Sequence, residues 1–492
     1  MLLHDILKRG RDDDDAVYSQ LGALTYRGLR VATENCRRRL YAMGVRPHAT
    51  VGIYSRNRAE YIAAYMAIAS LGAIVVPINF QLSMRETAFI LKNADAHYLL
   101  TDKPLELDAA MNSQNYDNVQ QLNIAECIEP TTLPPAPELP EDFGPDEPVA
   151  LIYTSGTTGE PKGAVLSHKN IVMNTIDLQQ VVHYTSDDNV LCVLPMYHCF
   201  AWTCAVMNAL YSGGTLSILD AFTPKKTIDI TRALGVTIIV MVPSICSLIT
   251  KLASTEDFKT LRFVMLGGTT LPEAVGSAFM SKFGIPIIEG YGLSESSPVV
   301  TMNSPEAPRA TSVGPAIPDV KVRIVDPETG LDVPQGEVGE LLVQGPNVMH
   351  GYWKREEATA KTLANGWLHT GDVARCDEDG YYYIVDRIKD MIISMGENIY
   401  PREIEELIYA FPGIHEVAVI GITDKLRGQA GCCYYTVQPD STVDLRALKK
   451  YLQKNLALYK IPREFHEIDE MPKTATGKIA KKTLRNMRDD AI

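Results

Sequence analysis

The chain lacks the features of a metal-cluster, nucleic-acid or membrane-spanning protein. Its nine cysteines include no Cys-x-x-Cys pair and no Cys/His set at zinc spacing, so the reading contains no structural zinc site. Nine is an odd number, and Cys192, Cys204 and Cys246 lie in apolar stretches. They read as reduced core residues of a cytoplasmic protein. Positive charge is in deficit, with 47 Lys and Arg against 60 Asp and Glu and a net charge of −13. That balance argues against a nucleic-acid partner. The longest apolar stretch, residues 62–78, is interrupted by Gly72 and Pro77. It reads as a helix over 59–71 followed by a strand over 73–77, and no transmembrane segment is expected. His4, Asp5 and Lys8 break up the first apolar residues, so no signal peptide is expected either. No internal repeat stands out. What remains is an ordinary globular composition, 46% hydrophobic and 22% charged. The 492 residues are too many for one core and call for two or more domains.

Against that plain background, residues 154–163 stand apart: Thr-Ser-Gly-Thr-Thr-Gly-Glu-Pro-Lys-Gly. All but Glu160 are small, hydroxyl-bearing, proline or lysine. Gly156, Gly159 and Gly163 let backbone approach a ligand closely. Thr154, Ser155, Thr157 and Thr158 add hydroxyls to a nest of exposed N–H groups, and Lys162 adds charge. The Walker A pattern is missing, because Pro161 precedes the lysine and Gly163 follows it. Apolar residues lead in at 151–153 and lead out at 164–166. The expected structure is a strand–loop–strand clamp on a polyphosphate.

Helical and strand patterns alternate over residues 21–100. Helices are expected at 26–43, 59–71 and 84–93, and strands at 50–54, 74–76 and 98–101. The rhythm resumes over 189–290, with strands at 190–194, 237–242, 263–266 and 286–289. It implies a parallel sheet with helices on its faces. Residues 129–148 are rich in proline and acid and read as a surface linker. Residues 311–385 read as short strands with turns. After the charged pentapeptide 386–390 the chain becomes a small α+β unit, with helices at 401–410 and 445–456 and a strand at 416–421.

Further segments carry chemistry. Glu289-Gly290-Tyr291-Gly292-Leu293-Ser294-Glu295 follows an apolar strand. A tyrosine between glycines can lie beside a planar ligand, and Glu295 suits Mg²⁺, which takes one or two carboxylates besides phosphate oxygens. Ser294 alone reads equally as a helix N-cap. Gly267 and Gly268 end another strand, at the edge where α/β sheets bind ligands. Asp372 could accept from ribose hydroxyls with Arg387 beside it, although alone it is a turn aspartate. Lys478, in Met-Pro-Lys-Thr-Ala-Thr-Gly-Lys, would by itself pass for part of a solvated basic tail.

Together, and in this order, these segments resemble the adenylate-forming (AMP-dependent synthetase/ligase) family over nearly the whole chain. That family includes acyl-CoA synthetases, luciferases and peptide-synthetase adenylation domains. Pro195-Met196-Tyr197-His198-Cys199-Phe200-Ala201-Trp202 is aromatic and apolar where amino-acid-activating relatives carry an aspartate. The chain looks most like bacterial medium- or long-chain fatty acyl-CoA synthetases.

The resemblance implies an α/β fold: a large N-terminal adenylation domain of parallel α/β sheets plus a β-rich subdomain over 1–385, a hinge at 386–390, and a small mobile α+β C-terminal domain over 391–492. It implies ATP, Mg²⁺ and CoA as ligands. Nucleotide contacts fall on Thr154, Ser155, Gly156, Thr157, Thr158, Gly159, Lys162, Gly268, Glu289, Gly290, Tyr291, Gly292, Ser294, Asp372, Arg387 and Lys478. The metal falls to Thr157 and Glu295, and catalysis to Lys478, His198 and Lys162. The acyl pocket is expected from His198, Phe200, Trp202, Val206 and Gly267. Lys389 matches the hinge position, and Ser394, Met395, Gly396 and Glu397 match the CoA tunnel. The implied reaction activates a fatty acid as its adenylate and passes the acyl group to CoA. An aryl acid of the benzoate or cinnamate type, a carrier-protein acceptor, and a non-catalytic sensor are the alternatives. A homodimer and peripheral contact with a membrane are compatible with the sequence, although no amphipathic basic helix compels the latter.

Overall fold

The computed structural model describes residues 1–19, 22–113, 116, 119–154, 160–395, 397–424, 426–439, 441–473 and 478–489. Two large sheets build the first part of the chain. In one, Thr215–Ile218, Asn189–Cys192, Ile238–Met241, Phe263–Leu266 and Ile287–Gly292 run parallel, with antiparallel strands at both edges. In the other, Thr50–Tyr54, Ile74–Ile78, Tyr98–Thr101, Gln120–Asn123 and Pro148–Thr154 are parallel, and Lys162–Ser167 turns back antiparallel on the last. The central strands are buried over their full length, as expected where both faces of a parallel sheet are covered.

The helix Ala59–Ser70 is buried around its whole circumference from Ala59 to Ala69. A helix apolar all round belongs between layers, and this one packs against strands of both sheets. The neighbouring Tyr26–Met43 helix shows why its sequence folds as it does. Thr25 caps it by accepting from the Gly28 N–H, Tyr26, Leu29, Thr33, Cys36 and Leu40 form its buried stripe, and Gly44 ends it at φ 107°.

Two expectations change here. Cys36 and Cys127, 91 residues apart, are joined in a disulfide with Cα atoms 4.8 Å apart, so not all nine cysteines are reduced. No local spacing could reveal a bond between such distant positions. Cys192, Cys204 and Cys246 are free and buried, as read. The 129–148 stretch, read as a linker, is in part a strap on the Tyr26–Met43 helix. Asn35, Arg37, Arg38 and Arg39 donate to the carbonyls of Ile128, Ala136, Pro137, Leu133, Cys127, Glu129 and Pro130.

An antiparallel sheet of Lys321–Val325, Gly339–Gln344, Leu368–Cys376 and Tyr382–Arg387 follows. Beyond it, Ile414–Asp424 and Gly428–Val437 pair along ten positions and form the spine of a last sheet. Helices Pro401–Tyr409 and Leu445–Asn455 contribute to one small core on this sheet, and Leu484 to another.

The first turn of the chain is anchored by a neutral imidazole. His168, fully buried, accepts from the Leu3 N–H through Nδ1 at 3.0 Å, and its ring meets His4 edge-on. Burial lowers the pKa of both, that of His168 to about 3. Below about pH 6.5 an unfolded histidine takes up a proton that buried His168 refuses. Its contribution is therefore complete above pH 6.5 and lost as pH falls towards 3. Against His168→Asn, which does not titrate, the wild-type advantage in unfolding free energy should shrink across that window by up to about 1.4 kcal/mol per pH unit. Urea melts from pH 7 to pH 4 test this, and a constant gap would refute it.

Candidate active site

One large cleft opens where the carboxyl ends of Phe263–Leu266, Ile287–Gly292 and Pro148–Thr154 converge, and residues 402–417 and 478–485 contribute to its lining. This is the edge of parallel sheets at which ligands bind in α/β folds.

Thr154 and Lys162 are the last paired residues of the hairpin that carries the polyphosphate-type loop. The strand–loop–strand reading therefore holds for both flanks, while Ser155, Gly156, Thr157, Thr158 and Gly159 lie outside the described residues. The Lys162 ammonium stands 5.1 Å from the ring centre of Tyr352. The Tyr352 hydroxyl donates to Glu295 Oε1 at 2.7 Å. The Met349 N–H donates to the Glu295 carbonyl. Tyr352 thus ties the lysine of one loop to the carboxylate of another. Sequence reasoning missed it because a lone tyrosine in Gly-Tyr-Trp carries no pattern. Its position comes from a two-residue strand, Gly351–Tyr352, pairing with Lys162–Ser167.

The Ile287–Gly292 strand turns antiparallel against Val299–Met302. Gly292 is required by close approach, since a Cβ there would sit 1.7 Å from the Pro298 carbonyl oxygen. Gly268, at φ +80°, begins the turn after its strand. The Glu289 carboxyl accepts from the Leu271 N–H at 3.2 Å, and burial pushes its pKa up to about 7. Its side chain therefore steadies the 267–272 loop.

Tyr291 and Asp372 meet across strands, with the Tyr291 hydroxyl donating to Asp372 Oδ2 at 2.6 Å. Arg387, the register partner of Asp372, reaches Oδ1 at 3.1 Å. Burial raises the Asp372 pKa, and Arg387 and Tyr291 oppose that rise. Lys478 joins this group from the far end of the chain. Burial lowers its pKa, chiefly assisted by the Arg387 charge, while Cys199 and Asp372 pull the other way.

His198 Nδ1 accepts from the Phe200 N–H at 3.2 Å and caps a short helix. Burial, with the nearby Lys478 charge, lowers the His198 pKa to about 4. The ring is neutral at pH 7, and because Nδ1 accepts, the proton is on Nε2. Cys199 and Ser294 touch at 3.4 Å, and burial pushes the Cys199 thiol up to about 11. The Phe200 ring lies against Gly267, where a Cβ would come within 2.9 Å of it.

Trp202 and Val206 do not join His198, Phe200 and Gly267 on the cleft wall. Val206 is fully buried, and Trp202 is stacked on Tyr65 with ring centres 3.9 Å apart. The helix from Trp202 to Met207 is wound as a π-helix, and all six of its residues are buried.

Ser394, Met395 and Glu397 also lie apart from the cleft lining. They form the Ile392–Ser394/Glu397–Ile399 hairpin, with Ser394 buried and Met395 exposed at φ 55°. Gly396 lies outside the described residues. Lys389 does line the cleft, in the single turn Ile388–Asp390, and burial lowers its pKa.

Residues 6–353 match the AMP-binding enzyme family, and residues 403–478 match the AMP-binding enzyme C-terminal domain. The chain is 36% identical to a feruloyl-CoA synthase from Amycolatopsis sp over 471 residues, 94% of each protein. ATP-bound MatB from Rhodopseudomonas palustris superposes with a TM-score of 0.93 at 29% identity, covering 100% of both chains. Apo MatB gives 0.82, so the present arrangement is nearer the ATP-bound one. The o-succinylbenzoate coenzyme A synthetase MenE from Bacillus subtilis, in complex with ATP and a magnesium ion, gives 0.87 at 29% identity over 98% of each chain.

Proposed function

Since the chain belongs to the AMP-binding enzyme family, we propose that it is an AMP-forming acid–CoA ligase acting on an aryl carboxylic acid of the cinnamate class. The fatty acid expected from sequence gives way to this reading for two reasons. Feruloyl-CoA synthase and MenE are the kind of relative it resembles. The cleft wall around Phe200 is also mixed in polarity. Phe200, Pro243 and Leu248 supply apolar walls, and Ser244, Ser247 and Thr269 bring hydroxyls among them. Behind this wall Trp202 stacks on Tyr65 in the interior. A flat ring with hydroxyl or methoxy groups suits such a wall, whereas a long alkyl tail wants a continuous apolar channel. The observation that carries the reading is this mixed apolar and hydroxyl wall beside His198.

In the proposed reaction the acid's carboxylate attacks the α-phosphate of ATP, giving acyl-adenylate and pyrophosphate. The thiol of CoA then attacks the acyl carbon and AMP leaves. His198, neutral with its proton on Nε2, donates to the acid carboxylate without competing for it as a base. Asp372, oriented by Tyr291 and Arg387, accepts from the ribose hydroxyls. Lys162, beside Tyr352, and Lys478, beside Asp372 and Arg387, both meet the phosphates in the cleft. Mg²⁺ would be held by Glu295, a carboxylate already oriented by Tyr352, and would supply charge neutralisation on the phosphates. The Ser394–Glu397 hairpin lies away from the cleft in this arrangement, which suits a role reserved for the second step, after the residues beyond Lys389 rotate.

Pyrophosphate release against a panel of acids tests this. The panel runs from acetate to palmitate and includes benzoate, cinnamate and ferulate, each with and without CoA. Turnover should peak on the cinnamates and require CoA. A climb of about fourfold per added CH₂ along the fatty series, with aryl acids inert, would restore the fatty-acid reading. A single burst indifferent to CoA would point to a carrier-protein acceptor.

A further inference from the structure

Behind the His198–Phe200 turn lies a small interior cavity, large enough for a single water and separated from the cleft by one layer of residues that includes Tyr197 and Cys199. Four of the residues lining it are Tyr65, Tyr197, Trp202 and Ser297, all at least nine-tenths buried. Each carries a polar atom with no partner among the described residues: Tyr65 Oη, Tyr197 Oη, Trp202 Nε1 and Ser297 Oγ. Buried polar groups are almost always hydrogen-bonded, and leaving one unpaired costs about 1–3 kcal/mol. Four such atoms on residues that line one small space make a shared partner the economical way to satisfy them. An apolar cavity of this size would stay dry, but a polar one binds water through about three hydrogen bonds.

We infer that this cavity is a binding site for one ordered water, which joins Tyr65, Tyr197, Trp202 and Ser297 into a polar floor and so positions the His198–Phe200 turn. The elements it links are separate in the chain. Tyr65 lies on the central buried helix, Tyr197 and Trp202 flank the turn, and Ser297 follows the segment that carries Ser294 and Glu295. Thr203 already donates to the Ser297 carbonyl at 2.9 Å, and Cys199 touches Ser294, so the water would complete an existing brace. The four are positioning residues, acting on the acid through His198 and Phe200.

The first arm of the test is a crystal structure of the full chain without ligands, at a resolution that shows waters. The expected result is one water within about 2.7–3.2 Å of at least two of the four polar atoms. An empty cavity, or side chains pairing directly with one another, would overturn the inference. This arm is independent of the proposed substrate. The second arm rests on that reading and uses Tyr65→Phe and Tyr197→Phe, each of which removes one oxygen and keeps the ring. Each should lose the water from its density and raise KM for the acid by about tenfold, the scale of one broken buried hydrogen bond, with KM for ATP and kcat nearly unchanged. Equal changes in both KM values, or none with the water gone, would overturn the positioning role. If neither variant folds, the wild-type density decides alone. If the acid panel fails but the water is present, the site stands and only the substrate reading falls.

Discussion

Lys478→Ala is expected to lose roughly 10²-fold or more in acyl-adenylate formation, the scale of one lost transition-state donor. Thioester formation from supplied acyl-adenylate should be nearly intact. The argument rests on where the ammonium sits. It shares the cleft with Asp372, Arg387 and His198, and burial and the Arg387 charge both loosen its proton. A cation held against that tendency gains most when negative charge develops beside it, and in the proposed first step that charge is divided between the α-phosphate and departing pyrophosphate. The Lys478 charge also adds to the lowering of the His198 pKa that burial chiefly causes, which places the ammonium near the acid side as well. Pyrophosphate release measures the first step, and thioester appearance from acyl-adenylate and CoA measures the second. Equal losses in both would end the division of roles.

The second large effect is on the hairpin that carries Tyr291. Gly292→Ala is expected to cost about 3 kcal/mol or more, at or above the usual range for overpacking, and to abolish ATP binding. The added Cβ would stand 1.7 Å from the Pro298 carbonyl oxygen and 2.7 Å from its carbon. Both are backbone atoms, so no side-chain rotation relieves the contact. Gly144→Ala is the control: nothing lies within 4 Å of its Cβ position, and it should melt like wild type. Thermal melts with ATP calorimetry on both variants settle the matter. A Gly292→Ala protein that melts normally and binds ATP would show that this backbone crossing is not needed.

Much of the fold was legible because its signals are local. The helices Tyr26–Met43 and Met84–Asn93 and the strands Thr50–Tyr54, Tyr98–Thr101 and Phe263–Leu266 have the bounds that their periodicity gives. The candidate site was legible where function forces unusual residues together, as in the segments around Lys162, Tyr291 and Lys478. What escaped depends on distant contacts or on which way an apolar run faces. Tyr352 matters through Glu295, 57 residues away, and Cys36 through Cys127. Trp202 and Val206 lie off the cleft wall, in a segment buried at every residue, because an apolar run does not by itself say whether it faces a ligand or the core. Acid preference was the least legible feature, since the wall that meets the acid includes residues such as Pro243 and Leu248, far from the His198–Trp202 segment in the chain.

The arginine strap has a consequence for how this protein can vary. Arg37, Arg38 and Arg39 grip residues 127–137 by their carbonyl oxygens, and a carbonyl is the one group every residue supplies. The strap is therefore held whatever letters are written along its exposed positions. Replacing those exposed side chains should leave the strap in place, and the path it follows is written in the three arginines of the opposite helix.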